Sequence, residues 1–243
     1  MATWLAGEPD RTRPESGREF FRSMGKALIA CLLADLLWDT TPANERSLRR
    51  LRQLLVTPEE GMREVLKRIH ATSPSPLARD LAGTLMGLVA ETFSGVYANA
   101  NDATHWLSTR AFADLVSGSS FRTADLTKGR LTVFVQIPLK VLHSTPGLGR
   151  VVIGAFLNAA YEADGNVEGR ILFLLDEVAR LGPMGVIEAA RDAGRKYRLT
   201  LLLLYQSVGQ LVQQWGREGA RAWYDSTSWR LYAAVQDLSL IHI

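Results

Sequence analysis

Cysteine is almost missing from this sequence of 243 residues: Cys31 is the only one, so the chain cannot form an internal disulfide. Cys31 lies in the apolar run at 27–38, where the role of a small buried side chain is favoured over that of a reactive thiol. This run and the one at 199–205 are too short or too interrupted to cross a bilayer, which takes roughly 20 residues. A signal-peptide pattern is also missing. We therefore expect this chain to work in the reducing cytoplasm.

Charge of one sign is not in large excess either. The 28 lysines and arginines nearly balance 25 acidic residues, which gives a formal charge of +3. This balance does not by itself indicate a nucleic-acid-binding protein, so any DNA contact must come from local patches. His70, His105 and His143 lie far apart, without cysteines or carboxylates at ligand spacing, so no zinc site is predicted. With 47% apolar residues the chain is long enough for one large or two modest folded domains.

The sequence contains no G-x-x-x-x-G-K-[ST] phosphate loop. The pair Gly25-Lys26 does not serve as one, because Phe20 stands where the first glycine is needed and Ala27 where the magnesium-binding hydroxyl is needed. A nucleotide site in this chain is therefore either part of a larger domain or degenerate.

Two different periodicities divide the chain. From about 17 to 115 the apolar residues recur at helical spacing, which predicts a bundle of about five helices. Ser73-Pro74-Ser75-Pro76 separates two of them. From 131 onward, short apolar runs alternate with helical stretches, which predicts strands at 131–137, 171–175, 199–205 and 229–235 and helices at about 146–163, 183–197 and 207–222. This order is typical of an α/β fold with a parallel sheet.

The strongest chemical signal is the segment 171–177, where five apolar residues lead directly into Asp176-Glu177. A buried strand that delivers carboxylates to the carboxyl edge of a sheet matches a Walker B motif. In that interpretation Asp176 holds Mg²⁺ through water and Glu177 orients or deprotonates the water that attacks a γ-phosphate. The alternative is a buried strand that ends in an ordinary acidic turn.

Gln206 ends the next strand and should therefore lie beside Asp176, where an amide can sense phosphate. Its alternative role is to cap the following helix. Between the two strands, a basic cluster could compensate a helix dipole or reach the nucleotide of a neighbouring subunit; it comprises Arg191, Arg195, Lys196 and Arg198. A second basic group could face DNA phosphates or form solvated helix faces; it comprises Arg46, Arg49, Arg50, Arg52, Arg63, Lys67 and Arg68.

Several segments together resemble the TraG/TraD coupling proteins of conjugative type IV secretion. They are ILFLLDEVARLGPMGVIEAARDAGRKYRLTLLLLYQSVGQL and AWYDSTSWRLYAAVQD, supported by ETFSGVYANANDATHWLSTRAFADLVSG and LTVFVQIPLK. The resemblance extends to Asp237. It implies part of a RecA-like P-loop NTPase core with a parallel sheet, interrupted by an all-α subdomain. Residues 1–126 would form the all-α subdomain and 127–237 the second part of the nucleotide-binding domain.

The resemblance also implies site residues and cofactors. Asp176 and Glu177 match the Walker B acids of the family, with Asp176 binding nucleotide and Mg²⁺. Gln206 matches its conserved glutamine, with catalytic and nucleotide-binding roles, and Arg195 matches its proposed arginine finger. ATP and Mg²⁺ are the implied cofactors. In this family the phosphate loop precedes the all-α domain, so a chain that begins inside that domain would lack it and is expected to be inactive alone.

The implied whole protein is a homo-hexameric motor that translocates DNA at the cytoplasmic face of the bacterial inner membrane, held there by an anchor outside this chain. Its implied partners are single- or double-stranded DNA, relaxase and relaxosome proteins, and the secretion channel. The alternative function is a non-catalytic docking module that binds relaxosome proteins or DNA. Residues 238–243, LSLIHI, resemble a translated sequencing adapter and are expected to be non-native, the alternative being a genuine short terminus.

Overall fold

The structure is a computed structural model that describes residues 1–9, 16–38, 41–42, 45–117 and 120–233. Its first half is helical, as the periodicity predicts. The helices are α1 (Ala2–Ala6), α2 (Ser16–Leu36), α3 (Leu48–Leu55), α4 (Glu59–Thr72), α5 (Pro76–Met86), α6 (Ala90–Thr104) and α7 (Arg110–Leu115), with a 3-10 turn at His105–Ser108.

Local chemistry explains where these helices begin. The hydroxyl of Ser75 accepts a hydrogen bond from the amide of Ala78 at 3.2 Å, and Pro76 occupies the first helical position, so α5 starts where the Ser-Pro repeat predicts. The helices pack around a core that includes Leu28, Leu51 and Phe93, all fully buried.

The second half alternates helices with strands. A 3-10 turn at Thr123–Lys128 precedes α8 (Leu139–Ser144) and α9 (Pro146–Glu162), which lead to β1 (Ile171–Leu175). After a 3-10 turn at Val178–Leu181 come α10 (Gly185–Ala193), β2 (Leu199–Leu203) and α11 (Val208–Ser226). Helix α11 is broken at Gly216, whose φ of 73° is outside the helical range.

Strands β1 and β2 pair in parallel, with Ile171 opposite Leu199 and Leu175 opposite Leu203. Helix α10 is the crossover between them, as βαβ geometry requires. One face of β1 is buried through Ile171 and Phe173, while Leu172 and Leu174 on the other face remain 60% and 57% exposed.

Two of the four predicted strands are wrong for the described residues. Residues 131–137 form no strand, and neither do 229–233, whose predicted continuation at 234–235 lies outside the described part of the chain. A strand requires a hydrogen-bonding neighbour as well as β-branched and aromatic residues. Phe134 and Leu231 are instead 84% and 73% exposed, and neither segment pairs with β1 or β2.

The two halves meet along α1 and α9. Leu5 in α1 and Leu148 and Val151 in α9 belong to the core of the helical half, although α9 leads into the sheet. Arg150 of α9 donates hydrogen bonds to the carbonyl of Trp4 at 2.8 Å and to that of Leu181 at 3.3 Å. The predicted domain boundary near residue 126 stays a prediction, and the predicted non-native tail at 238–243 lies outside the described residues.

Candidate nucleotide site at the carboxyl edge of the sheet

The ends of β1 and β2 bring the predicted site residues together. Asp176 and Glu177 directly follow β1, and Gln206 follows β2 after two intervening residues. Because the strands are parallel and in register, both ends lie at the same edge of the sheet. The side-chain amide of Gln206 donates a hydrogen bond to the Glu177 carboxylate. The carboxyl edge therefore carries an acidic pair with an amide donor beside it.

Glu177 has an unusual backbone conformation. Its φ and ψ are 54° and 32°, in the left-handed region that residues other than glycine, asparagine and aspartate rarely adopt. Its amide donates a hydrogen bond to Asp176 Oδ1 at 3.0 Å. Strained backbone of this kind costs about 1–3 kcal/mol and concentrates at functional sites. This strained turn carries the acidic pair directly after β1.

Arg180 is a neighbour of Glu177 that the sequence analysis missed. Its Nε lies 3.7 Å from Glu177 Oε2 across the 3-10 turn. Both atoms are buried without a hydrogen-bond partner among the described residues. The signal that could have revealed this contact is the spacing of three residues, which brings side chains to the same side of a 3-10 turn.

A buried polar network holds the turn after β1 against α11. Gln214 Nε2 donates to the carbonyls of Val178 and Gly182, at 3.2 and 2.6 Å, and its Oε1 accepts from the Tyr205 hydroxyl at 2.8 Å. The Trp215 indole donates to that same hydroxyl at 2.9 Å. Burial raises the pKa of Tyr205 to about 12, so the phenol stays protonated and able to donate. The network ties both strand ends to one helix.

Arg195 lies away from this edge. It follows α10 and precedes β2, so it is at the amino edge of the strands, and its side chain is exposed. The five residues of a strand, at about 3.3 Å each, separate the two edges by roughly 16 Å. Its predicted cluster is divided: Lys196 forms an ion pair with Asp164 at 2.8 Å and Arg191 one with Asp192 at 2.6 Å. Arg195 therefore does not reach the Glu177 of its own chain.

The basic residues of α3 and α4 are mostly paired within the helical half. Arg68 lies 2.8 Å from Asp35, Lys67 lies 2.7 Å from Glu64, and Arg49 forms an ion pair with Asp114. Arg52 instead donates to the Asn101 carbonyl at 3.0 Å, at the carboxyl end of α6, where a positive charge complements the helix dipole. These contacts favour solvated helix faces over a free phosphate-binding surface.

The acidic pair fits Mg²⁺ bound together with a nucleotide. Asp176 is exposed, and Glu177 Oε2 is a buried oxygen with no hydrogen-bond donor in the described chain. Within the described ranges, no third histidine, cysteine or carboxylate joins them to complete a metal cage. Mg²⁺ in nucleotide sites is typically held by one or two carboxylates plus phosphates and waters. The carboxylate oxygens of Asp176 and Glu177 are therefore of the kind and number that Mg²⁺ uses in nucleotide sites.

Comparison with known proteins identifies the family. The family model described as "Type IV secretory system Conjugative DNA transfer" matches residues 5–239. The chain belongs to this family. It is 46% identical over 240 residues to the conjugal transfer protein TraG of Rhizobium radiobacter, covering 98% of this chain and 37% of that protein. It is 44% identical over 230 residues to the type IV secretion system-coupling protein VirD4 of Bartonella henselae, covering 94% and 36%. The chain thus spans just over a third of these relatives.

Solved structures establish the fold class. The chain matches the plasmid coupling protein TrwB in complex with the ATP analogue ADPNP with a TM-score of 0.68 and 17% identity, over 93% of this chain and 50% of TrwB. It matches TrwB in complex with ADP and Mg²⁺ with a TM-score of 0.67 and 14% identity, over 93% and 49%. The predicted RecA-like P-loop NTPase fold with a helical subdomain is confirmed. No helix in the described ranges has the length and apolar character of a membrane span.

Proposed function

We propose that this chain is part of a homo-hexameric ATPase that drives DNA from a relaxosome into a type IV secretion channel at the cytoplasmic face of the inner membrane. Membership of the conjugative DNA transfer family supports this function. The observation that carries it is the contact between Gln206 and Glu177 at the carboxyl edge of the sheet, because open α/β sheets bind ligands there.

Each residue of the edge has a separate task. Asp176 would hold Mg²⁺ through water, and Glu177 would orient or deprotonate a water for attack on the γ-phosphate. Gln206 fixes the Glu177 carboxylate through its amide and responds to the presence of phosphate. Bound ATP with Mg²⁺ supplies the reactive phosphate and neutralises its charge. Arg180 places a positive charge 3.7 Å from the Glu177 carboxylate across the 3-10 turn and helps to hold that side chain in place.

Arg195 acts on the nucleotide of the neighbouring subunit. Its exposure at the amino edge of the strands leaves it free to meet another chain in a ring, while the strand length separates it from its own Glu177. An arginine finger of this kind contributes about 10³–10⁵ in rate. Lysine would substitute poorly because it lacks the planar fork of the guanidinium.

The experiment is a chimera. The matching segment of the Rhizobium radiobacter TraG is replaced by this chain, and the chimera is assayed for ATP hydrolysis and for plasmid transfer from a donor without its own coupling protein. Glu177→Gln in the chimera should lower kcat by about 10²–10⁴, the usual contribution of a general base. Glu218→Gln, the same chemical change at an exposed position of α11, is the matched control and should leave both activities intact.

Two results would count against the proposal. A chimera that is produced, reaches the membrane and still fails to transfer DNA would show that this segment does not perform the motor's task. A chimera with Glu177→Gln that transfers DNA as well as the Glu218→Gln control would favour the docking module without hydrolysis.

A further inference from the structure

Gln210 makes a double contact with Gln206. Its Oε1 accepts a hydrogen bond from the backbone amide of Gln206 at 3.0 Å, and its Nε2 donates one to Gln206 Oε1 at 3.3 Å. Gln206 in turn donates from Nε2 to Glu177. Three side chains, on the first turn of α11, at the end of β2 and at the end of β1, therefore form one connected chain of hydrogen bonds.

A simpler role for Gln210 is that of a capping-box residue at the start of α11, although its Oε1 accepts from the amide of Gln206 and not from that of the N-cap residue Ser207. Ser207 is the residue before the helix, its hydroxyl accepts from the Gln210 amide at 3.3 Å, and Gln210 is the third helical residue. In a capping box, Glu and Gln serve equally well at that position, because only a side-chain oxygen is used, as an acceptor. Here the amide nitrogen of Gln210 is used as well, and a glutamate has no such donor.

We propose that Gln210 is a positioning residue that orients the amide of Gln206 toward Glu177. A glutamine amide has a donor end and an acceptor end, and the acceptor end of Gln206 is taken by the donor of Gln210. The donor end must then face the Glu177 carboxylate. This inference rests on the proposed function of Glu177 and Gln206. In it, Gln210 determines which end of the Gln206 amide faces the Glu177 carboxylate.

Gln210→Glu separates positioning from capping. As a capping residue, a glutamate at the amino end of α11 should be tolerated or stabilising, because acidic groups complement the helix dipole there. As a positioning residue, a glutamate should fail, because its carboxylate oxygen would then face Gln206 Oε1. The Gln206 amide would turn its donor end to the new carboxylate and its oxygen to Glu177, and the contact with Glu177 would be lost.

The first readout uses this chain and needs no hydrolysis. With ¹⁵N-labelled glutamine, the side-chain amide signal of Gln206 is assigned by its loss in Gln206→Met, and its order is followed by the heteronuclear NOE and by hydrogen exchange. We expect an ordered, slowly exchanging amide in the parent, a changed position of this signal in Gln210→Glu, and a mobile amide in Gln210→Leu, which removes both contacts. Gln213→Glu and Gln213→Leu, at an exposed position of the same helix, are the matched controls and should leave the signal unchanged.

The second readout is hydrolysis by the chimera. Gln210→Glu should lower kcat by about tenfold, the effect of losing one hydrogen bond to a charged group, with an unchanged KM for ATP and an unchanged thermal midpoint. If Gln210→Glu keeps full activity and an unshifted Gln206 signal while Glu177→Gln abolishes hydrolysis, Gln210 is only a cap and this inference is rejected alone. If Glu177→Gln has no effect either, the proposed function fails as well.

Discussion

Replacing Gln214 by leucine tests the network that holds the turn after Glu177. Gln214 is only 4% exposed and uses both ends of its amide in three hydrogen bonds, to Val178, Gly182 and Tyr205. Leucine has a similar volume but can make none of these bonds. At about 1 kcal/mol net for each, Gln214→Leu should lower the free energy of unfolding by about 3 kcal/mol.

The assay is thermal and urea unfolding, followed by circular dichroism and tryptophan fluorescence. For a chain of this size, a loss of about 3 kcal/mol corresponds to a fall in Tm of about 6–12 °C. Gln213→Leu, which makes the same change at the preceding, exposed position, should stay within about 0.5 kcal/mol of the parent.

A third variant separates hydrogen bonding from volume. Gln214→Glu keeps an acceptor for Tyr205 but, when ionised, cannot donate to the two carbonyls and places a charge in a buried site. Burial favours the protonated form of such a carboxyl group, so this variant should become more stable as the pH falls. Equal stability of all three variants, or a Gln214→Glu variant insensitive to pH, would refute the reasoning.

Three further outcomes are expected. The chain alone should not hydrolyse ATP, because its sequence has no phosphate loop; steady-state turnover that disappears in Glu177→Gln would contradict this. Mixing Arg195→Ala and Glu177→Gln subunits of the chimera should restore part of the ATPase activity, since some interfaces then pair an intact Arg195 with an intact Glu177; no recovery in rings shown to be mixed would reject a role across subunits. Burial raises the pKa of the Cys31 thiol from 9.0 to about 12, so the native chain should react with a disulfide reagent at pH 8 far more slowly than the chain in urea; equal labelling rates would show that Cys31 is accessible. The stability that this neutral thiol contributes should be complete below pH 9 and be lost as the pH rises through about 12.

The parts of the fold that sequence predicted best are those decided by local pattern. The five apolar residues before Asp176 form β1 over the predicted range, and α9 ends within one residue of its predicted end. The meeting of Gln206 with Glu177 also followed from the sequence, because parallel strands place their carboxyl ends at one edge.

The parts that sequence could not supply depend on partners distant in the chain. Residues 131–137 have strong strand-forming composition, but pairing decides whether a strand forms, and β-propensity depends on that context. Gln214 looks like one more polar residue on a helix, and only its position between Leu211 and Trp215 hints at burial. The left-handed backbone of Glu177 is imposed by the surrounding turn and has no signature in the residue itself.

The contact of Arg150 with α1 has a consequence for synthesis. The guanidinium bonds the carbonyl of Trp4, a residue 146 positions earlier, and Leu5 is buried beside Leu148 and Val151. During synthesis α1 leaves the ribosome long before α9. The contact between α1 and Arg150 therefore cannot form until α9 has been made. The helical half can begin to fold early, but its core is completed only when the sheet half has started to appear. A fragment that ends near residue 126 would lack α9 and would therefore expose Leu5.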